Sequence, residues 1–361
     1  MAPLRARTDA VTPHSRGRRR THTMSTERDL SKGTSSTRDF YERNSALSDD
    51  PHNPMKQPRF TGVPTFMRTP LVSDLTNLDI ALVGIPYDGA VTNRPGARHG
   101  PQAIRAASTL MRSIHHVHKF SPYDLCRIGD VGDVDLSRMY EHEHVVNEIE
   151  LQYQRLVEAE VIPLSAGGDH SVTYPILKAL GAEGPVGLIH IDAHTDTWDE
   201  FSGSKFMHGT PFRRACEDGL IDAKRTIQIG IRGAQETSEG WDYSLEQGMR
   251  VVFMEEFTKL GVQTVIDEAR QLVGNHPTYI SFDVDGLDPV YAPGTGTPEI
   301  GGLTTIEAME LLRGLRGLNL IGGDVVEVAP PFDPSGNTAL VGATLMYEIL
   351  CLLADAKANR K

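Results

Sequence analysis

From Asp79 onward, short apolar runs alternate with longer amphipathic stretches, and this alternation constrains the fold more than any other feature of the chain. The runs are Ile80–Gly84, Leu125–Gly129, Val161–Leu164, Val186–Ile191, Thr226–Ile231, Arg250–Phe253, Tyr279–Asp283 and Leu320–Val328. Each has the length of a strand. Between most of them lie stretches patterned for helices, such as Gly100–His115, Glu141–Glu158, Val172–Leu180 and Thr264–Val273, with Thr305–Leu312 and Ala339–Leu353 further on. A helix that crosses back over a sheet lets successive strands run parallel, and both faces of such a sheet become covered. The expected class is therefore α/β with a mainly parallel sheet. No repeat or linker interrupts residues 78–355, so one domain over residues 58–361 is the simplest account.

Three of these runs carry possible metal ligands at or beyond their ends. Gly167-Gly168-Asp169-His170 follows Val161–Leu164, Asp192-Ala193-His194-Thr195-Asp196 follows Val186–Ile191, and Ser281-Phe282-Asp283-Val284-Asp285 ends the run from Tyr279. Strand side chains repeat on one face every second residue. Asp192, His194 and Asp196 can thus project together, as can Asp283 and Asp285. Strand carboxyl ends are where open α/β sheets place their sites. A lone Asp-x-Asp is an ordinary loop, and a lone histidine an ordinary packed residue. Gathered in one place, these four carboxylates and two imidazoles call for cations, because the carboxylates otherwise repel one another. Oxygen and nitrogen ligands without thiolate suit divalent manganese, with nickel the main alternative and cobalt, iron or zinc behind it.

In this order, GGDHS, DAHTD and SFDVDGLDP resemble the motifs of the ureohydrolases, which include arginases, agmatinases and guanidino-acid hydrolases. The resemblance runs from about Gln57 to about Leu353 and takes in Asn93–Arg98, His208–Phe212, Ala292–Glu299 and Val326–Pro331. The last groups are closer to the agmatinase and guanidino-acid branch than to arginase. The resemblance implies a three-layer α/β/α sandwich with an eight-stranded, mainly parallel sheet. It implies two divalent metal ions per chain. His170, Asp192, Asp196 and Asp283 would hold one, and Asp192, His194, Asp283 and Asp285 the other, with Asp192 and Asp283 bridging. It also implies hydrolysis of a small guanidino compound to urea and an amine or ammonia, and assembly as a homo-hexamer or trimer.

The chemistry of such a reaction suits the remaining residues. A guanidinium carbon is a poor electrophile because resonance spreads its charge, so the nucleophile must be strong and oriented. A metal pair can lower the pKa of a shared water towards neutrality. Glu327, after the run Leu320–Val326, can bind the planar guanidinium through paired hydrogen bonds. His208, in a Gly-rich loop, is the candidate proton carrier for the leaving amine. Asp196 can also orient the attacking water and steady the tetrahedral intermediate. His190 lies one step too deep for a ligand and is expected in the core or behind the ligands. Asp169 and Asp288 are expected to orient ligands. His99, His115, His116 and His118 fit no ligand spacing and are expected as lone surface residues.

The substrate is less legible. The loop Thr197–Met207 joins the metal strand to His208 and carries Trp198 and Phe206, expected to contact the substrate tail; Tyr87–Asn93 is expected at the mouth as well. Agmatine would want an acid, for which Asp199 or Glu200 serves. Guanidinobutyrate or guanidinopropionate would want a cation, for which Lys205 or Arg94 serves. Bulky Trp198, Phe206 and Met207 folded inward would shorten the pocket and bring guanidine itself within the range of substrates. Two other classes stay open: an inactive, regulatory ureohydrolase-like subunit, or a single-metal deacylase on a similar fold. The complete ligand set argues against the first, and the additional Asp196 and Asp285 against the second.

A net charge of −12 over 361 residues disfavours a nucleic-acid surface. No apolar run reaches the roughly 18 residues of a membrane helix. Three scattered cysteines suggest no disulfide framework. Residues 1–57 are rich in Arg, Ser, Thr and Pro and read as a disordered or arm-like extension. Residues 1–23 have the composition of a mitochondrial transit peptide without a clear amphipathic helix. A cytoplasmic location is the first expectation and a mitochondrial one the alternative.

Overall fold

The eight apolar runs become the strands of a single sheet. The computed structural model describes residues 58–360 together with Thr37, Asp39 and Phe40. The strands are β1 (Ile80–Gly84), β2 (Ile128–Asp133), β3 (Ile162–Ala166), β4 (Val186–Ile191), β5 (Ile221–Ile231), β6 (Arg250–Phe253), β7 (Thr278–Asp283) and β8 (Leu320–Val326). Their order across the sheet is β2-β1-β3-β8-β7-β4-β5-β6, and every neighbouring pair is parallel. Every residue of β3, β4 and β7 is buried. This is why these strands read as near-continuous apolar runs rather than alternating ones.

Helices flank the sheet and make the three layers. Gly100–Ser108, Thr305–Gly314 and Asn337–Asn359 form one group that packs on β3 and β8, while His142–Glu158, Thr173–Leu180 and Pro211–Glu217 form another on β3 and β5. The helix Asn337–Asn359 is long and apolar enough to cross a membrane, with a mean hydropathy of 1.7, but 83% of that window is buried in the fold. Polar Thr338, Thr344 and Glu348 break its apolar run, which is why the sequence showed no continuous span.

Several boundaries differ from the pattern. The helix expected over Gly100–His115 stops at Ser108, and His115 lies in the following loop. Pro122–Leu125 forms a helical turn, which Pro at a first position favours, so β2 starts only at Ile128. The helices Pro211–Glu217, Glu239–Gln247 and Met254–Leu260 were not expected. The extension over residues 1–57, and the targeting expectation for residues 1–23, lie outside the described residues apart from Thr37, Asp39 and Phe40. These three are helical, and Phe40 is buried in the core. Cys126, Cys216 and Cys351 form no disulfide with one another.

Candidate metal centre and substrate cavity

Four neighbouring strands at the middle of the sheet, in the order β3-β8-β7-β4, carry the candidate site at their carboxyl ends. His170 stands in the turn after β3, and Glu327 is the first residue beyond β8. Asp283 ends β7 and Asp285 sits in the 3-10 turn that follows. Asp192, His194 and Asp196 follow β4. Gly168 makes the first turn possible: a Cβ there would lie 1.6 Å from the Tyr87 carbonyl oxygen. Without that side chain the Asp169 amide donates to the same carbonyl at 2.8 Å, and the Glu327 amide donates to the Gly168 carbonyl at 2.8 Å. The turn is thereby tied to β1 and β8. Asp196 and Glu327 both adopt positive φ, 53° and 62°. Such backbone crowds the Cβ of any residue other than glycine and collects at sites where the surrounding fold imposes it.

The ligands fall into two sets that share Asp192. His170 Nδ1 lies 3.0 Å from Asp192 Oδ2, 2.9 Å from Asp196 Oδ2 and 3.3 Å from Asp283 Oδ2. His194 Nδ1 lies 3.4 Å from Asp192 Oδ1 and 3.3 Å from Asp285 Oδ2. Among the described residues, Asp192, His194 and Asp285 converge closely enough for one ion, and so do His170, Asp192, Asp196 and His190. Asp283 Oδ2, 3.3 Å from His170 Nδ1, borders the second of these groups. His190 is not free to ligate: its Nε2 donates to Asp192 Oδ2 at 2.7 Å, and Gln228 Nε2 donates to its Nδ1 at 3.2 Å. It orients Asp192 from behind, as its depth on β4 suggested.

A cation fits this arrangement because of which His170 nitrogen carries the proton. Ser281 Oγ donates to Asp324 Oδ1 at 2.7 Å, so it must accept from His170 Nε2 at 2.8 Å. Asp324 in turn is held by Thr173 Oγ1 and Tyr279 Oη. The Nδ1 lone pair of neutral His170 therefore faces three carboxylates, and Nδ1 has no hydrogen-bond partner despite being buried. Lone pair against carboxylate is repulsive unless a positive charge lies between. Burial alone would lower the His170 pKa, but the neighbouring carboxylates of Asp192, Asp196 and Asp283 lift it well above its ordinary value. Burial, then Asp285 and Asp192, raises Asp283 as well. Both shifts describe carboxylates crowded without charge compensation. No lysine or arginine among the described residues pairs with Asp192, Asp196, Asp283 or Asp285. The donor set suits divalent cations that accept nitrogen and oxygen.

Two further features complete the centre. Glu327 is 1% exposed. Its Oε1 accepts from the His170 amide at 3.0 Å and from His208 Nδ1 at 2.9 Å, whereas its buried Oε2 has no partner. Arg232 was missed by the sequence reading. It donates to the carbonyls of Gly230, Asp285, Gly286, Leu287 and Glu299, at 2.6 to 3.3 Å, and so clamps the loop that carries Asp285. Its only sequence signal is an arginine just past a buried strand.

A cavity of about 520 Å³ opens above the centre. His194, Asp196, His208 and Asp283 line its floor, and Trp198, Phe201, Met207, Thr92, Arg94, Glu236 and Glu299 its walls. Trp198 is thus where the sequence placed it. Phe206 is not: its ring stacks on Tyr174, with centroids 5.9 Å apart, behind the loop. A short bridge between Phe201 and Ser204 folds the loop so that Phe206 turns inward to the core while Phe201 faces the cavity. Asp199 is also turned away, paired with Arg214 at 2.7 Å and Lys205 at 3.6 Å. Asp169 accepts from Ser171 and Ala90 amides and caps the His170 turn. Asp288 binds the amides of Val290, Gly301 and Gly302, shaping a loop rather than orienting a ligand.

The expectation of lone surface histidines also needs correction at His115. It is buried, 2.8 Å from Glu348 Oε2, and stacked on His118 with ring centroids 4.5 Å apart. This cluster is a poor cation site. His115 Nδ1 accepts two amides, which leaves the proton on Nε2 facing Glu348, and Arg313 already neutralises that carboxylate.

The pattern of the arginase family matches residues 78–352. Guanidinopropionase of Pseudomonas aeruginosa is 55% identical over 303 residues, 84% of this chain and 95% of that protein. Mitochondrial agmatinase of Gallus gallus is 49% identical over 300 residues, 83% and 88% of the two chains. Among solved structures, proclavaminate amidino hydrolase from Streptomyces clavuligerus superposes with a TM-score of 0.80 at 39% identity, covering 83% of this chain and all of that one.

Proposed function

The chain belongs to the arginase family and is a hydrolase of guanidino compounds, and we propose from that premise that its substrate is a guanidino acid, hydrolysed at the centre built by β3, β8, β7 and β4. The observation that carries the assignment of the site is Glu327 Oε2, a buried carboxylate oxygen without a partner beside the cavity floor. A guanidinium supplies paired donors to a carboxylate in one plane. Bound there, its carbon is held over the four aspartates, which offset its charge.

His170, Asp192, His194, Asp196, Asp283 and Asp285 would hold two divalent ions, manganese first and nickel as the alternative. When bound, such a pair supplies a water acidic enough to attack at neutral pH. The protein's own groups do the rest. Glu327 orients the guanidinium. Asp196, at the cavity floor with its backbone held at positive φ, orients the attacking water and steadies the tetrahedral carbon. His208 delivers a proton to the departing amine. Burial would lower its pKa, but the hydrogen bond and charge of Glu327 outweigh that and lift it to about 9, which favours the protonated ring.

The tail preference rests on Arg94. It lines the cavity, stacked over Phe332 at 3.9 Å, with no carboxylate partner among the described residues. An unpaired, half-buried guanidinium favours a carboxylate tail. Lys205 lies beside Asp199, at 3.6 Å. A second reading, an amine tail as in agmatine, draws on Glu236, which also lines the cavity. Urea release by the metal-loaded enzyme from guanidinopropionate, guanidinobutyrate, agmatine, arginine and guanidine tests all of this. Preference for agmatine would overturn the guanidino-acid reading, and no urea from any of them would overturn the assignment of the site. We extend the proposal to a homo-hexamer or trimer. For location we propose the cytoplasm, with the mitochondrion as the alternative that the Gallus gallus relative brings to mind.

A further inference from the structure

We infer that Thr92 is a positioning residue that makes Nε2 of His208 the nitrogen from which the proton leaves. The inference rests on the proposed role of His208 and adds a residue to it. Thr92 reaches the same nitrogen twice: its main-chain N–H points at His208 Nε2 at 3.1 Å, and its hydroxyl lies 3.0 Å from it. The other ring nitrogen is held by Glu327 at 2.9 Å.

These contacts treat the two ring protons differently. An N–H only donates, so the Thr92 amide stabilises His208 when Nε2 bears a lone pair. The hydroxyl both donates and accepts, so it can receive the Nε2–H of the imidazolium. The proton on Nδ1 faces a buried carboxylate and is firmly held. The proton on Nε2 shares its place with an opposing N–H and is the easier one to release. Once it has left, the amide donates to the bare nitrogen. The charged groups around the ring are Glu327 after β8, Asp169 after β3 and Asp196 after β4. All three favour the imidazolium, and the Thr92 amide opposes them.

The placement of Thr92 is built into the fold. Its loop follows β1. The Ala90 amide donates to Asp169 Oδ2 at 2.9 Å, and the His208 amide donates to the Ala90 carbonyl at 3.0 Å. The loop is therefore tied both to the His170 turn and to His208. Thr92 and His208 both line the cavity, so their contact borders the space a substrate would fill.

The experiment compares Thr92→Val and Thr92→Ser in the metal-loaded enzyme. Valine keeps the shape and the amide and loses the hydroxyl. In Thr92→Val the imidazolium loses its acceptor, the His208 pKa falls, and the basic limb of kcat moves to lower pH. We expect kcat at pH 8 to drop about tenfold with KM within about twofold, since general acids contribute 10²- to 10⁴-fold and only part is lost. Thr92→Ser should restore kcat and the limb. Metal content should stay at the parent value in both. An active parent with an unmoved limb in Thr92→Val overturns the inference, as does a Thr92→Ser as impaired as Thr92→Val. A parent that releases no urea overturns the proposed function instead. The zinc-substituted, diamagnetic protein then still gives an answer through ¹⁵N-histidine spectra, with His208→Gln assigning the His208 signals. There Nε2 should lose its proton at lower pH in Thr92→Val than in the parent, and equal titration overturns the inference.

Discussion

Ser281 Oγ, 2.8 Å from His170 Nε2, decides which nitrogen of His170 faces the aspartates. The hydroxyl hydrogen is already given to Asp324, so the serine can only accept. The ring is thereby locked with Nδ1 toward the centre. A residue that never approaches an ion sets the ligand's tautomer, and Asp324 behind it is kept in place by two more hydroxyls.

Ser281→Ala should therefore weaken metal binding although every ligand remains. Loss of such a supporting hydrogen bond costs about 10- to 100-fold in affinity. Competition with a chelator of known affinity measures this, and an unchanged dissociation constant would show that packing alone orients His170.

Asp192 belongs to both ligand sets, whereas His194 belongs to one. Asp192→Asn should leave the purified protein with close to no bound metal, and His194→Asn with about one ion fewer than the parent, given a binuclear site. Elemental analysis after dialysis is the check. Equal loss in the two variants would contradict the sharing of Asp192.

Much of this centre was legible because its residues obey simple periodicities. Asp192, His194 and Asp196 alternate beyond a buried strand, and the residue types leave little but metal to account for them. Other parts were not legible. Phe206 and Phe201 are both apolar residues of one irregular loop, and only its internal bridge decides which one faces the cavity. Arg232 binds main-chain carbonyls, which no sequence distinguishes. His115 looks like any polar loop residue until Glu348, 233 positions away, is brought against it. Long-range pairing of this kind depends on the packing of the C-terminal helix, not on local pattern.

Glu327→Gln should lower kcat/KM about 10- to 100-fold on every guanidino substrate, the value of a charged hydrogen bond of roughly 1.5–3 kcal/mol. Glutamine keeps an acceptor for the His170 amide and for His208 Nδ1, so metal content should hold. A loss confined to one tail chemistry would place Glu327 at the tail rather than at the guanidinium.

The paired His208 and Glu327 also predict a pH dependence of stability in the chelated protein. The folded pKa of His208 is raised to about 9, above the roughly 6.5 of an unfolded chain. Its contribution is fully present below about 6.5 and is lost as pH rises through about 9. The melting temperature should fall across that window, and His208→Gln should flatten this part of the profile. A profile unchanged by the substitution would mean that the pair contributes nothing to folding.

Trp198 and Phe206 give the last prediction, because the sequence treated them alike and the fold separates them. Trp198 lines the cavity, while Phe206 stacks on Tyr174 behind the loop. Trp198→Ala should enlarge the space above the guanidinium and raise kcat/KM for long-tailed relative to short-tailed guanidino substrates. One methylene in an apolar pocket is worth roughly 1–3 kcal/mol, so a shift of about tenfold or more in the ratio is expected. Phe206→Ala should leave the ratio where it was and lower the melting temperature instead, since it removes a ring from the core. Ratios on guanidinopropionate and guanidinobutyrate, with a thermal melt of each variant, separate the two effects. If Phe206→Ala shifts the ratio and Trp198→Ala does not, the loop must fold the other way over the cavity in the working enzyme.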